Sequence, residues 1–142
     1  IFLPLLFHAL YGVYISLTSS VTVKRYRYFR NWCYVLQRIA GIVTLLFVIW
    51  HIYGTKLQVE LTGVDPSYAM VAGIVATPIG LALFVIGLLC SIYHFCNGLW
   101  TFLITWGITV SPRSQKISGY VLFALFIAFA AFGLKALSAF AG

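Results

Sequence analysis

Four long apolar stretches, at residues 1–17, 35–53, 78–106 and 117–140, leave this chain few ways to fold. A helix crosses the roughly 30 Å hydrocarbon core of a bilayer with about 20 apolar residues. Only helices and closed barrels satisfy their own backbone there. The chain of 142 residues is 63% hydrophobic and 8% charged, too few charges to coat a water-soluble domain. The expected fold is an all-α integral membrane bundle. It forms one domain over residues 1–142, with helices at about 1–18, 32–55, 72–107 and 115–141. Tyr34, Trp50, Tyr53, Trp100 and Trp106 fall near the ends of these stretches, as an aromatic belt at the membrane faces does.

Charge sets the orientation. Lys24, Arg25, Arg27 and Arg30 lie between the first and second stretches, and Arg113 and Lys116 between the third and fourth. Both acidic residues, Glu60 and Asp65, share the middle connection with Lys56. Positive loops stay inside, so the first and third connections are expected in the cytoplasm, with the middle one and the C-terminus outside. The net charge of +7 comes mainly from these separate clusters. A nucleic-acid binder would instead present a continuous basic face, so no nucleic acid is expected as a partner. The first stretch begins apolar at its first residue, without the basic region or small-residue cleavage site of a signal peptide. It reads as a transmembrane helix entered partway along, with more chain expected upstream. Cys33, Cys90 and Cys96 form neither a CxxC pair nor an even set, which argues against a disulfide framework or a zinc site.

The histidines carry the chemistry. His8 and His94 each lie about 12 residues from the cytoplasmic end of their helix, so both sit roughly 18 Å in, at one level. His51 is about 20 residues into its helix, roughly 30 Å from the same side. Each imidazole projects from a strip of small residues: His8 with Gly12 and Ser16, His94 with Gly80, Gly87, Ser91 and Gly98, and His51 with Thr44 and Gly54. Such strips let helices approach closely, and they also leave room for a flat macrocycle held between axial imidazoles. An interhelical hydrogen bond is the plainer use of a buried histidine. Two histidines at matched depth on different helices favour ligation of a haem, whereas His51, alone at its level, fits either role. A proton relay would need intramembrane Asp or Glu, and none is present. Ser91 is only a local neighbour of His94, which gives no nucleophile–base pair.

The run RNWCYVLQRIAGIVTLLFVIWHIYGTK, preceded by FHALYGVYI and followed by YHFCNGLWTFLITWGITVSPRSQKIS, closely resembles the dihaem cytochrome b anchor subunits of succinate dehydrogenase. The likeness is to the menaquinone-using type of Gram-positive bacteria, and it covers nearly the whole chain. It implies five transmembrane helices, four of them in this chain, and two b haems stacked across the bacterial cytoplasmic membrane. It also implies a cytoplasmic face that docks an iron–sulfur subunit and a flavoprotein subunit, membrane lipid around the bundle, and menaquinone as electron acceptor. Carried onto this sequence, His8 and His94 match both ligands of the inner haem. His51 matches one ligand of the outer haem, whose partner belongs to a first helix this chain lacks. Arg38, two turns into the second helix, suits an inner-haem propionate or snorkels to the interface. No residue is expected to catalyse succinate oxidation, which belongs to the flavoprotein. The alternatives are a b-haem anchor of fumarate reductase or another respiratory complex, and a haem-free helical transporter subunit.

Overall fold

The computed structural model describes residues 2–65 and 67–141, and these are helical with short connections. In order come α1 (Phe2–Thr18), α2 (Phe29–Ile52), a π turn (Tyr53–Leu57), α3 (Gln58–Thr62), α4 (Tyr68–Val75), α5 (Pro78–Thr105) and α6 (Pro112–Ala141). Ile1, where the first helix was expected to begin, lies outside the described residues.

Local chemistry explains where the helices start and stop. Thr77 caps α5: its hydroxyl accepts from the Gly80 N–H at 3.0 Å, and Pro78 follows in the first helical position. Ser67 caps α4 in the same way through the Met70 N–H, at 3.3 Å. Ser111 accepts from the Ser114 N–H at 3.1 Å at the start of α6. At the end of α5, Gly107 takes a φ of 69°. Its N–H reaches the Ile104 carbonyl while the Ile108 N–H reaches that of Leu103, the double bond of a Schellman turn that only a left-handed residue permits.

The expected third helix, 72–107, is broken in the structure. Pro78 lacks an N–H and crowds the residue before it, and Thr77 is extended at φ −88° and ψ 138°. Residues 68–75 therefore form a separate helix, α4. The second helix runs further than the expected 32–55, continuing through the π turn to Thr62, so that Phe29–Thr62 is a single span. The last helix starts at Pro112 rather than near residue 115.

Helix α5 is central, packed along its length against α2 and α6, while α1 touches α2 over a short stretch. A small core of Val75, Phe84 and Leu137, with Phe47, Trp50 and Phe140 against it, closes the end near α4. There Tyr68 donates to the Ala139 carbonyl and stacks on Phe140. Large apolar side chains such as Leu3, Ile79 and Phe132 point outward, an arrangement stable in lipid and costly in water. Among the described residues three helices are long and apolar enough to span a membrane, with Leu3–Thr18 a shorter apolar fourth.

Candidate functional site

His94 sits in the middle of α5 and faces α2. Its Nδ1 lies 3.1 Å from the backbone carbonyl of Gln37, which assigns the proton to Nδ1 and leaves the Nε2 lone pair free. Gln37 holds the same spot twice more. Its Nε2 donates to the His94 carbonyl at 3.0 Å, and its Oε1 accepts from Asn97 Nδ2 at 2.8 Å. Asn97 is the one buried polar residue among the described residues. Glycine makes this approach possible. A Cβ on Gly41 would stand 2.8 Å from His94 Cε1, and one on Gly98 would stand 3.1 Å from Gln37 Nε2.

His8 reaches the same point from α1. The two imidazole centres are 6.0 Å apart and the ring planes are inclined at 79°. Metal–imidazole bonds are about 2 Å long. With roughly 1 Å from each nitrogen to its ring centre, one metal ion between two axial imidazoles needs centres about 6 Å apart. The pair fits that requirement. Among the described residues no group of three or more His, Cys, Asp or Glu comes together. A two-histidine centre therefore suits an ion whose other ligands come with a macrocycle, and not a protein-only metal cage.

His51 stands apart from this pair. It lies ten residues beyond Gly41 on α2, about 15 Å along the helix axis. Its ring stacks on Phe47, with centres 5.7 Å apart, and meets Phe84 edge-on at 5.6 Å. Its Nδ1 is buried without a hydrogen-bond partner, as is the hydroxyl of Thr44 on the same face. The π turn begins two residues later, and Thr55 Oγ1 donates to the His51 carbonyl at 2.5 Å. A buried nitrogen left without a partner marks a position suited to a ligand.

Arg38 reaches across to α1, where its Nη2 donates to the carbonyls of Ser16 and Ser19 while the guanidinium lies over the Tyr34 ring. The guanidinium thereby caps the carbonyl end of α1, where a cation also complements the helix dipole. Its Nη1 is buried and has no hydrogen-bond partner.

The small-residue strips divide into two uses. On α5 they form a packing seam: the Phe47 ring fills the space over Gly87, and Gly80 lies under the Ile74 carbonyl at the α4–α5 corner. Ser91 bonds back to the Gly87 carbonyl within its own helix. Gly87 and Gly80 therefore leave no slot for a ring, because aromatic and backbone atoms occupy it. On α1, Gly12 has open space around it. To the residues expected from the sequence the structure adds Gly41, Asn97 and Gln37. Their only signals were polar or small side chains one turn from a ligand candidate, in QRIAG and HFCNG.

A family model described as succinate dehydrogenase/fumarate reductase transmembrane subunit matches residues 19–133. The succinate dehydrogenase cytochrome b558 subunit of Bacillus subtilis (strain 168) is 49% identical over 140 residues, covering 99% of this chain and 69% of that protein. No solved structure matches the chain. Apolar spans of membrane length, paired intramembrane histidines and this likeness converge: the chain belongs to the family of succinate dehydrogenase and fumarate reductase transmembrane subunits.

Proposed function

We propose that the chain is the electron-transferring membrane anchor of a succinate dehydrogenase, that it binds b-type haem, and that His8 and His94 are the axial ligands of one haem. The observation that carries this reading is the His8–His94 pair, with its 6.0 Å separation and the His94 tautomer set by the Gln37 carbonyl. The relative's description as a cytochrome b558 subunit supports it. Held by His8 and His94, such a haem would supply a one-electron ferric–ferrous couple suited to electron transfer rather than oxygen binding.

The chain's own residues hold and orient. Gln37 and Asn97 fix the height and rotation of His94, Gly41 admits its ring, and the unpaired Nη1 of Arg38 suits an anionic propionate at the level of the α1 C-terminus. His51, with its unpartnered Nδ1, is the ligand this chain offers to a second haem on the outer side. The partners are an iron–sulfur subunit and a flavoprotein subunit, which dock at the cytoplasmic face. Menaquinone receives the electrons. The same arrangement serves fumarate reduction if the driving force is reversed.

The test is the optical spectrum of the full chain in its native complex. Reduced b-type bands that succinate itself generates are expected, with part of that absorbance lost in His94→Ala. A purified protein without b-type absorption would overturn the reading.

A further inference from the structure

A cleft of about 780 Å³ opens between α2, α5 and α6 on the side opposite His51 along the bundle, and none of the histidines lines it. Its mouth carries Arg30 and Lys116, and its floor is apolar and aromatic, reaching Tyr93, Leu122 and Phe126. Phe126 is 14 residues beyond Pro112 on α6, so the floor lies about 21 Å below the helix ends. That depth exceeds one leaflet's share, about 15 Å, of the hydrocarbon core. A soluble subunit docked on the loops covers the mouth but does not reach the floor, whose apolar and aromatic lining suits a hydrocarbon chain.

The mouth selects by charge. Arg30 is held in place, with Nη2 donating to Gln115 Oε1 at 3.2 Å and its guanidinium over the Trp100 indole. Gln115 is in turn fixed by Trp100 Nε1, which donates to its carbonyl at 2.9 Å. Lys116 stands over the Tyr120 ring. Both acidic residues of the chain lie in the opposite connection, and the one ion pair found among the described residues joins Lys56 to Glu60 there. The two cations at the mouth therefore face no acid, above a leaflet-deep apolar floor. Basic pockets of this kind between transmembrane helices bind anionic lipid headgroups.

We propose that this cleft is a binding site for an anionic glycerophospholipid, its phosphate between Arg30 and Lys116 and one acyl chain along Tyr93, Leu122 and Phe126. A quinone would use the same floor but has no charge for the mouth to recognise. A zwitterionic lipid would bring a choline ammonium toward two cations. The proposal stands without the haem assignment.

The test uses the native complex containing the full chain, delipidated in neutral detergent and titrated with phosphatidylglycerol or phosphatidylcholine, with bound lipid counted by native mass spectrometry. Phosphatidylglycerol is expected to bind at least tenfold more tightly. The double variant Arg30→Gln/Lys116→Gln should weaken it about 25-fold, since each cation near the membrane surface is worth roughly fivefold. Arg30→Lys should keep most of the affinity. Lys24→Gln/Arg25→Gln, which neutralises loop charge outside the cleft, should change little. Equal binding of the two lipids would overturn the proposal. So would equal losses in the two double variants, or recovery of menaquinone in place of phospholipid at one per chain.

Discussion

Replacing Gln37 by Leu keeps the size of the side chain and the backbone carbonyl that holds His94 Nδ1, but removes two interhelical hydrogen bonds. Polar contacts between transmembrane helices average about 0.6 kcal/mol each, because the unfolded chain in the membrane also finds partners. The His94 carbonyl has a second lone pair for its own helix, so losing its contact costs no more than that. Asn97 is the graver loss, for it is 8% exposed and its amide would be left unpaired, which adds about 1 kcal/mol. Gln37→Leu should therefore destabilise the α2–α5 contact by about 2 kcal/mol, a roughly 30-fold shift in an unfolding equilibrium. Asn97→Leu should do similar damage by orphaning Gln37 Oε1. The double variant replaces both partners with apolar groups and should lie within about 1 kcal/mol of wild type. Reversible unfolding in mixed micelles, followed by circular dichroism across the four proteins, measures the coupling. Costs that add in the double variant, or a silent Gln37→Leu, would refute the claim that these residues clamp His94.

Three further outcomes are expected. Gly41→Ala places a Cβ 2.8 Å from His94 Cε1, so the ring must turn. The haem held there should lose its low-spin signal, whereas Gly98→Ala, whose Cβ would stand 3.1 Å from Gln37 Nε2, asks for a smaller adjustment and should have a weaker effect. His51→Ala should leave the redox component assigned to His8 and His94 at its wild-type potential and abolish only the other, as a potentiometric titration of the b bands would resolve. Arg38→Gln removes the cation at the α1 C-terminus, and α1 contacts little beyond α2. Faster proteolysis or hydrogen exchange in residues 2–18 should follow, with α5 and α6 unchanged.

The features legible in the sequence were those that depend on one helix at a time. Apolar length located the spans, and a fixed rise per residue set His8 and His94 at one depth; in the structure their rings meet at 6.0 Å. The break before Pro78 was visible as Thr-Pro, yet the apolar run continues through it, and hydropathy does not register a missing N–H. The π turn after His51 leaves no compositional trace. Interhelical register was out of reach altogether. Whether Gly87 frames an open slot or receives Phe47 depends on the rotation of α2 against α5. The same rotation decides that Gln37, a polar residue without an evident partner, meets both His94 and Asn97. The contacts of Arg38 with the Ser16 and Ser19 carbonyls likewise depend on where α1 packs, which no single-helix pattern records.

Ligation of one haem by His8 and His94 is read out by low-temperature electron paramagnetic resonance of the oxidised complex. Axial imidazoles with near-perpendicular planes, inclined at 79° here, should give a highly anisotropic low-spin ferric signal. That signal should disappear in both His8→Ala and His94→Ala and persist in His51→Ala. Its survival in either of the first two variants would show that His8 and His94 do not share a haem.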